Sequence, residues 1–512
     1  MPPVAHDAYA YIIASDADCP GAAMTDTITL VRDLDVVVAW DESEGRHVYL
    51  PRSDFVFRGN EILHVGPGYA GTVDTTIEGR GLMALPGLIN VHTHPFSEPG
   101  NKGLTEEVAS DKLGQSSLYE FLPVFGMEAE AAGASSRVAI SELLKSGVTT
   151  VTDLSVNRET WIDDLASTGI RAVLCPMFRS GYWYTKNGHH VDYAWDIKAG
   201  EAAFAAALKT IDAAMAHPSG RLSGMMGPSQ IDTCTEGLFK DALAEARKRN
   251  IPLQTHAGQA VVEFNEMTRR HGKTPVEWLD QIGVLSPDLI IGHCIFLSDH
   301  PQLHWPHSDD FARLRDSGAA VAHCPTVFAR RGIALNSIGR YMDAGIPVGI
   351  GTDTFPHNML DELRLACYLS RVLTGNYKMG TTRHAFEAAT IGGAKILRRP
   401  DLGRLAPGCK ADFSLVDMTH PYMQPAIEPV RSLVYSASDR AIRHVYIDGR
   451  QVVRDGKVLT VDVEAMTVQL VEGQAKRIST VPQRDWAGRT AEQLAPPVYG
   501  KRDRLPQTRP VH

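Results

Sequence analysis

Leu85-Pro86-Gly87-Leu88-Ile89-Asn90-Val91-His92-Thr93-His94 reads as a short apolar strand that ends in two histidines one residue apart. Successive strand side chains leave opposite faces, so His92 and His94 share one face. Two neutral imidazoles on one face can hold a metal ion from one side. Two unrelated histidines at a strand end would be the plainer reading. Pro86-Gly87 ahead of the strand, and polar residues further along, turn the reading towards metal.

Those polar residues also close apolar runs. Pro252-Leu253-Gln254-Thr255-His256, Leu289-Ile290-Ile291-Gly292-His293 and Ala319-Ala320-Val321-Ala322-His323 end in histidine, and Pro347-Val348-Gly349-Ile350-Gly351-Thr352-Asp353 ends in a carboxylate. One such ending means little. Repeated on successive strands, it suggests side chains converging at one end of a sheet, as at the mouth of a (β/α)8 barrel.

With these residues in view, the chain resembles the amidohydrolase superfamily, in the branch of the triazine hydrolases and the cytosine, guanine and S-adenosylhomocysteine deaminases. Pro86–His94, His256, His293 and Gly351-Thr352-Asp353 carry the resemblance. Glu142–Thr150 is similar to the family's second helix and strand, and Leu402–Phe413 to its return to a small β domain. The match runs over roughly residues 27 to 460. It is specific for superfamily and fold, and much less so for substrate.

The bulk numbers agree with such an architecture. A chain of 512 residues suits a large barrel with a satellite domain. Hydrophobic content of 44% and charged content of 22% are ordinary for a soluble globular protein. A net charge of −9 lacks the basic stripe of a nucleic-acid surface. Seven cysteines without CxxC spacing point to free thiols in a reducing compartment. No apolar run approaches the roughly 20 residues of a membrane helix, and no basic region precedes Tyr9–Ala14 as a secretory signal would require. The expectation is a cytoplasmic protein, without membrane or nucleic-acid partners, that takes a small-molecule substrate and forms a homo-oligomer, a dimer or higher.

The expected fold class is α/β: a (β/α)8 TIM barrel with a small β-sandwich domain formed by the N- and C-terminal flanks. Residues 1–26 form an N-terminal arm, loosely ordered or simply disordered. Residues 27–85 and 399–460 form the composite sandwich, 86–398 the metal-dependent barrel, and 461–512 a C-terminal helix and tail. In the flanks, Thr27–Leu30, Val36–Trp40, Asp54–Arg58, Glu61–Val65, Thr75–Glu78, Asp412–Val416, Val430–Tyr435, His444–Ile447 and Gln451–Arg454 read as strands. Barrel strands are expected at Leu88–His92, Val148–Asp153, Arg171–Pro176, Gly224–Pro228, Pro252–His256, Leu289–His293, Ala319–His323 and Pro347–Gly351. Ala202–Ala216 and Glu236–Arg249 read as helices. Long loops Phe96–Glu120, Arg179–Ile197 and Phe296–Ser308 should sit at the mouth. The second carries Tyr182 and Trp183, which either meet a flat ligand or pack the loop on the rim. The tail from about 475 wraps a neighbouring subunit or is flexible.

Hydrolysis at neutral pH needs an activated water, and a divalent metal lowers a water pKa from about 15.7 towards 7. The resemblance implies His92, His94, His256 and Asp353 as ligands of one divalent ion, zinc first and iron as the alternative. A bridging residue for a second metal is missing from Met226-Gly227-Pro228-Ser229-Gln230. The resemblance also gives Asp353 the role of proton shuttle and lets His293 polarise a substrate carbonyl or steady the attacking water. His323 either lines the mouth or packs, and Phe296 and Phe328 complete the candidate substrate contacts.

Three positions depart from the deaminase pattern. Gln259 stands where deaminases carry glutamate, Gln230 where they tend to carry histidine, and Phe296 where a second histidine follows His293. A side-chain amide cannot act as the acid that a carboxyl group can. The expectation is therefore hydrolysis of a C–N bond in a small amide, urea or carbamate with an aromatic part, Gln259 supplying a hydrogen bond. The alternative is a deaminase or dechlorinase of a nitrogen heterocycle of triazine, pyrimidine or purine type. A non-catalytic, metal-stabilised barrel is the remaining rival.

Overall fold

The computed structural model describes residues 26–306 and 309–500. The expected arm therefore lies outside the described residues, Asp26 apart. The N-terminal flank forms β1 (Ile28–Asp41), β2 (Arg46–Arg58), β3 (Glu61–Gly66), β4 (Thr75–Glu78) and β5 (Leu82–Pro86). The runs expected at Thr27–Leu30 and Val36–Trp40 are parts of one strand, β1. Its register on β2 shifts between Val31 and Leu34, and Asp33 there has a φ of 57°. A bulge absorbs the polar break between the two runs.

The central segment alternates parallel strands with helices. Its strands begin with β6 (Leu88–Thr93), β7 (Val148–Ser155) and β8 (Arg171–Phe178). A hairpin, β9 (Gly181–Tyr184) and β10 (Asp192–Trp195), interrupts them. Then come β11 (Leu222–Gly224), β12 (Gly227–Pro228), β13 (Leu253–Ala257), β14 (Leu289–His293), β15 (Ala320–His323) and β16 (Val348–Ile350). The fourth expected strand is thus split into β11 and β12, both pairing with β8. β6 to β12 form one parallel sheet apart from the hairpin, and β13 to β16 another. Parallel bridges Met226–Leu253 and Gln230–His256 link the sheets along one edge, and Thr93–Asp353 links them along the other. At that second edge a Cβ on Gly351 would lie 2.6 Å from the His92 carbonyl oxygen. Only glycine lets the two strands approach so closely.

The helices follow local rules. Glu236–Arg249 starts where the Thr235 hydroxyl accepts the Leu238 N–H and stops at Asn250, whose φ is 54°. The helix expected at Ala202–Ala216 starts earlier and ends one residue sooner, at Ile197–Met215, capped by Asp196.

The C-terminal flank adds β17 (Phe413–Asp417), β18 (Ile442–Ile447), β19 (Arg450–Arg454) and β20 (Lys457–Val458). β17 pairs with β5, so both flanks join one nine-stranded sheet over its own cluster of Val31, Phe55, Ile62, Phe413 and Leu415. Val430–Tyr435, read as a strand from its β-rich composition, is helical. Pro429 occupies the first turn and the Glu428 carboxylate accepts the Arg431 N–H, a start signal that outweighs the β-propensity. The described part of the tail packs on its own chain. Val481, Ala491 and Leu494 pack with Val108, Phe121 and Phe125 of the loop after β6.

Where β8 begins, a buried ion cluster fastens the flank to the central segment. Arg171 donates through Nε and Nη2 to the two oxygens of Asp412 at 2.7 and 3.0 Å, and through Nη2 to Asp448 at 2.5 Å. All three side chains are 5% exposed or less.

Candidate active site and metal centre

The C-terminal ends of β6, β13, β14 and the turn after β16 deliver His92, His94, His256, His293 and Asp353 to one place. His94 Nε2 lies 3.2 Å from His256 Nε2. Asp353 Oδ1 lies 3.5 Å from His92 Nε2 and 3.2 Å from His94 Nε2, and its Oδ2 is 3.8 Å from His293 Nε2. The His92 and His293 ring centroids are 4.8 Å apart. His293 and Asp353 have φ of 77° and 58°. Non-glycine residues in the left-handed region turn the chain abruptly out of the strand, a cost that functional sites often carry.

The outward nitrogens settle what the inward ones can do. His94 Nδ1 donates to the Leu154 carbonyl at 2.7 Å and His256 Nδ1 to the Ser229 carbonyl at 2.5 Å. His92 Nδ1 meets Gln254 Oε1 at 2.5 Å, and the Gln254 Nε2 donates to the Val91 carbonyl at 3.1 Å, which fixes the amide's orientation. In each of these three rings Nδ1 is therefore the donor of the neutral form, and Nε2 carries that form's lone pair. Burial and the neighbouring imidazoles push His256 well below the usual histidine range, and burial pushes His293 to about 3, so both are neutral. Three lone pairs and a carboxylate facing one another repel unless a cation lies between them. Four ligands about 2.0–2.1 Å from one tetrahedral ion sit roughly 3.3 Å apart, close to the separations seen. His92 Nε2 is buried and has no hydrogen-bond partner among the described residues. The residues present fit a divalent metal ion.

The other candidates fall at varying distances from this cluster. Phe328 packs on His293 with centroids 4.6 Å apart. His323 ends β15, buried, and burial pushes it to about 3. Gln259 is buried beside Gln230 and donates through Nε2 to its side-chain oxygen. Trp183 donates to Asp232 at 3.0 Å and stacks edge-on against Tyr119. Tyr182 is 39% exposed, with Arg179 over its ring, and Phe296 is core, packed on His300.

Sequence reasoning passed over several groups. Gln254 precedes His256 by two residues on the same face of β13, a spacing that signals its role. Glu98 is buried in the loop after β6, and burial pushes its carboxyl to about 7 in spite of nearby His94. Glu263 is fully buried behind Gln259. Glu98 lies in a long loop, and Glu263 is in the first turn of a helix, where acidic residues are common, so neither stands out in the sequence.

A model of the Amidohydrolase family matches residues 83–452. A 5-methylthioadenosine/S-adenosylhomocysteine deaminase of Halobacterium salinarum is 29% identical over 420 residues, 80% of this chain and 90% of that protein. Among solved structures, a triazine hydrolase from Arthrobacter aurescens superposes with a TM-score of 0.73 at 24% identity, covering 88% of this chain and 99% of its own. An adenosine deaminase from Xanthomonas campestris with bound zinc gives 0.75 at 21% identity, covering 89% and 99%. With the family matched over most of its length and the strand-end histidines in place, this chain belongs to the amidohydrolase family and is one of its hydrolases.

Proposed function

We propose that this chain hydrolyses a C–N bond of a small nitrogen compound, using one divalent metal held by His92, His94, His256 and Asp353. The observation that carries the reading is the convergence of three Nε2 lone pairs on the Asp353 carboxylate. Zinc is the first choice, supported by the all-nitrogen-and-oxygen donor set and by the zinc in the Xanthomonas relative. Bound there, the ion would supply an acidified water. Asp353 moves a proton through Oδ2, the oxygen nearer His293. His293 orients the group under attack, and Phe328 holds the His293 ring.

Two substrate readings each have an observation behind them. The relatives act, by their names, on aminated nucleosides and triazines, which favours the deaminase or dechlorinase reading that the sequence places second. The buried Gln259–Gln230 amide pair, where a carboxyl would serve ring protonation, favours an amide, urea or carbamate. Products detected by mass spectrometry from a panel of amides, ureas and aminoheterocycles, with metal content measured in parallel, decide between them. Ammonia or chloride, with a hydroxylated ring, marks the first reading and a larger amine the second. Gln259→Glu sharpens the choice. On the amide or urea reading a carboxylate beside Glu263 lowers kcat/KM for the native reaction. On the deaminase reading it speeds ammonia release by up to ~10²–10⁴-fold. No turnover anywhere in the panel at full metal occupancy would leave the ligand-binding rival.

The wider architecture belongs to the same proposal. The bridges at both sheet edges support a closed (β/α)8 barrel over 86–398, and the flank sheet over its own core supports a sandwich of 27–85 and 399–460. Six buried free cysteines among the described residues support a cytoplasmic setting. Exposed Val372 and Tyr377 support a homo-oligomer.

A further inference from the structure

Gln259 and Gln230 are 4% and 6% exposed, and Glu263 is fully buried in the first turn of the helix Val261–His271. Glu263 Oε1 accepts the Gly258 main-chain N–H at 2.5 Å, and the Gln259 side chain hydrogen-bonds the same carboxyl. Glu263 Oε2 is buried and has no hydrogen-bond partner among the described residues. An oxygen that already accepts a main-chain N–H stays an acceptor whether the carboxyl is ionised or carries its proton on the other oxygen. Gln259 Nε2 also donates to Gln230 Oε1. Both partners of the Gln259 amide are thus acceptors, so both its N–H groups are committed and its Oε1 is left to accept. Gln230 is bridged to His256, and Gln259 follows His256 by three residues, so this amide pair lies at the strand ends that hold the candidate centre.

We infer that Glu263 is a positioning residue that fixes Gln259 with its carbonyl oxygen towards the ligand. The site then selects compounds that present an N–H next to the scissile carbon over the same compounds methylated at that nitrogen. This rests on the hydrolase reading above for where the ligand lies. Glu263 as a mere brace of the 258–260 turn would predict altered stability and unaltered selectivity.

Glu263→Gln keeps the size and an acceptor for Gly258, and adds a donor that lets the Gln259 amide turn round. Two readouts on the metal-loaded enzyme test the inference. The first is hydrogen exchange of the Gln259 side-chain amide by NMR, identified by its loss in Gln259→Met. Exchange should be slow in the native protein and markedly faster in Glu263→Gln. The second is calorimetric binding of methyl N-phenylcarbamate against methyl N-methyl-N-phenylcarbamate, which keeps no N–H on the carbonyl carbon. The native enzyme should prefer the first by about tenfold, the size of one neutral hydrogen bond. Glu263→Gln and Gln259→Met should each bring the ratio near one, with no further change in the double variant. Fast exchange in the native protein, or an unchanged ratio in Glu263→Gln with only a lower Tm, overturns the inference. If neither carbamate binds, the exchange result alone decides. Failure of the hydrolase reading would appear differently, as no turnover across the panel with slow exchange intact.

Discussion

Two buried clusters of charged and polar groups sit at opposite ends of the same parallel strands, and they are built on opposite principles. At the start of β8, Arg171 lies between Asp412 and Asp448, and its cation meets their carboxylates directly. At the far ends, His92, His94, His256 and Asp353 bring lone pairs and negative charge together with no cation of their own. The first cluster is complete within the chain, as a structural device should be. The second is complete only with something added. In (β/α)8 barrels, the architecture proposed above, the N-terminal ends of the strands serve stability and the C-terminal ends serve chemistry. Here the difference is visible in which side chains find their partners within the chain.

The largest expected effect comes from removing the second cluster's donors. His92→Ala, His94→Ala or His256→Ala should each lower bound metal and reduce turnover to background, read by elemental analysis and product formation. Asp353→Asn should cost ~10²–10⁴-fold in kcat even where some metal remains, the range that a lost proton-transfer group commands. Full occupancy with retained activity in any of these variants would break the distinction between the two ends.

Arg171→Met makes the opposite test. Two carboxylates stay buried without their cation, which costs ~3–5 kcal/mol, read as a lower Tm or an earlier denaturant midpoint. Metal content and kcat/KM measured well below the transition should stay near native. A loss of activity at unchanged stability would show that the base cluster serves the chemistry after all.

Gln254→Leu has a smaller effect and asks how far preorganisation reaches. Without Oε1 the His92 Nδ1–H loses its acceptor and the ring is free to turn. Metal affinity should fall ~10–100-fold, as for other partners that orient a ligand, measured by competition with a chelator. Equal affinity would mean that packing alone orients His92.

The two clusters also differ in how legible they were. The strand-end cluster could be read because its members close apolar runs, and a run ending in histidine or aspartate is a local signal. His92, His94, His256, His293 and Asp353 all follow it. Their supports could not be read so, because two of the three acceptors are main-chain carbonyls of Leu154 and Ser229, which carry no sequence signature. The base cluster was invisible for another reason: Arg171 meets Asp412 and Asp448 across more than two hundred residues, and only the folded topology joins them. Val430–Tyr435 shows the converse error, since β-rich composition alone does not distinguish a strand from a capped helix.

A third charged group gives the smallest effect and the sharpest contrast in kind. Glu142 pairs with Lys102 and with His357, whose Nδ1 is 3.5 Å from its carboxylate. Burial alone would raise the Glu142 carboxyl, yet His357 and Lys102 together hold it at about 2, below its ordinary 4.5. A depressed carboxyl contributes stability that is whole above the unfolded value and is lost as pH falls through the folded one. The contribution should therefore be intact above about pH 4.5 and should fade as pH falls towards 2. With a third of the side chain exposed, screening keeps it to about 1 kcal/mol or less. Glu142→Gln should lower the Tm slightly at pH 7 and flatten its decline below pH 4.5, leaving metal content unchanged at neutral pH. Like Arg171, Glu142 is paired within the chain, so its loss should register in stability alone. A fall in metal binding at pH 7 would mean that pairing within the chain does not separate structural charges from functional ones in this protein.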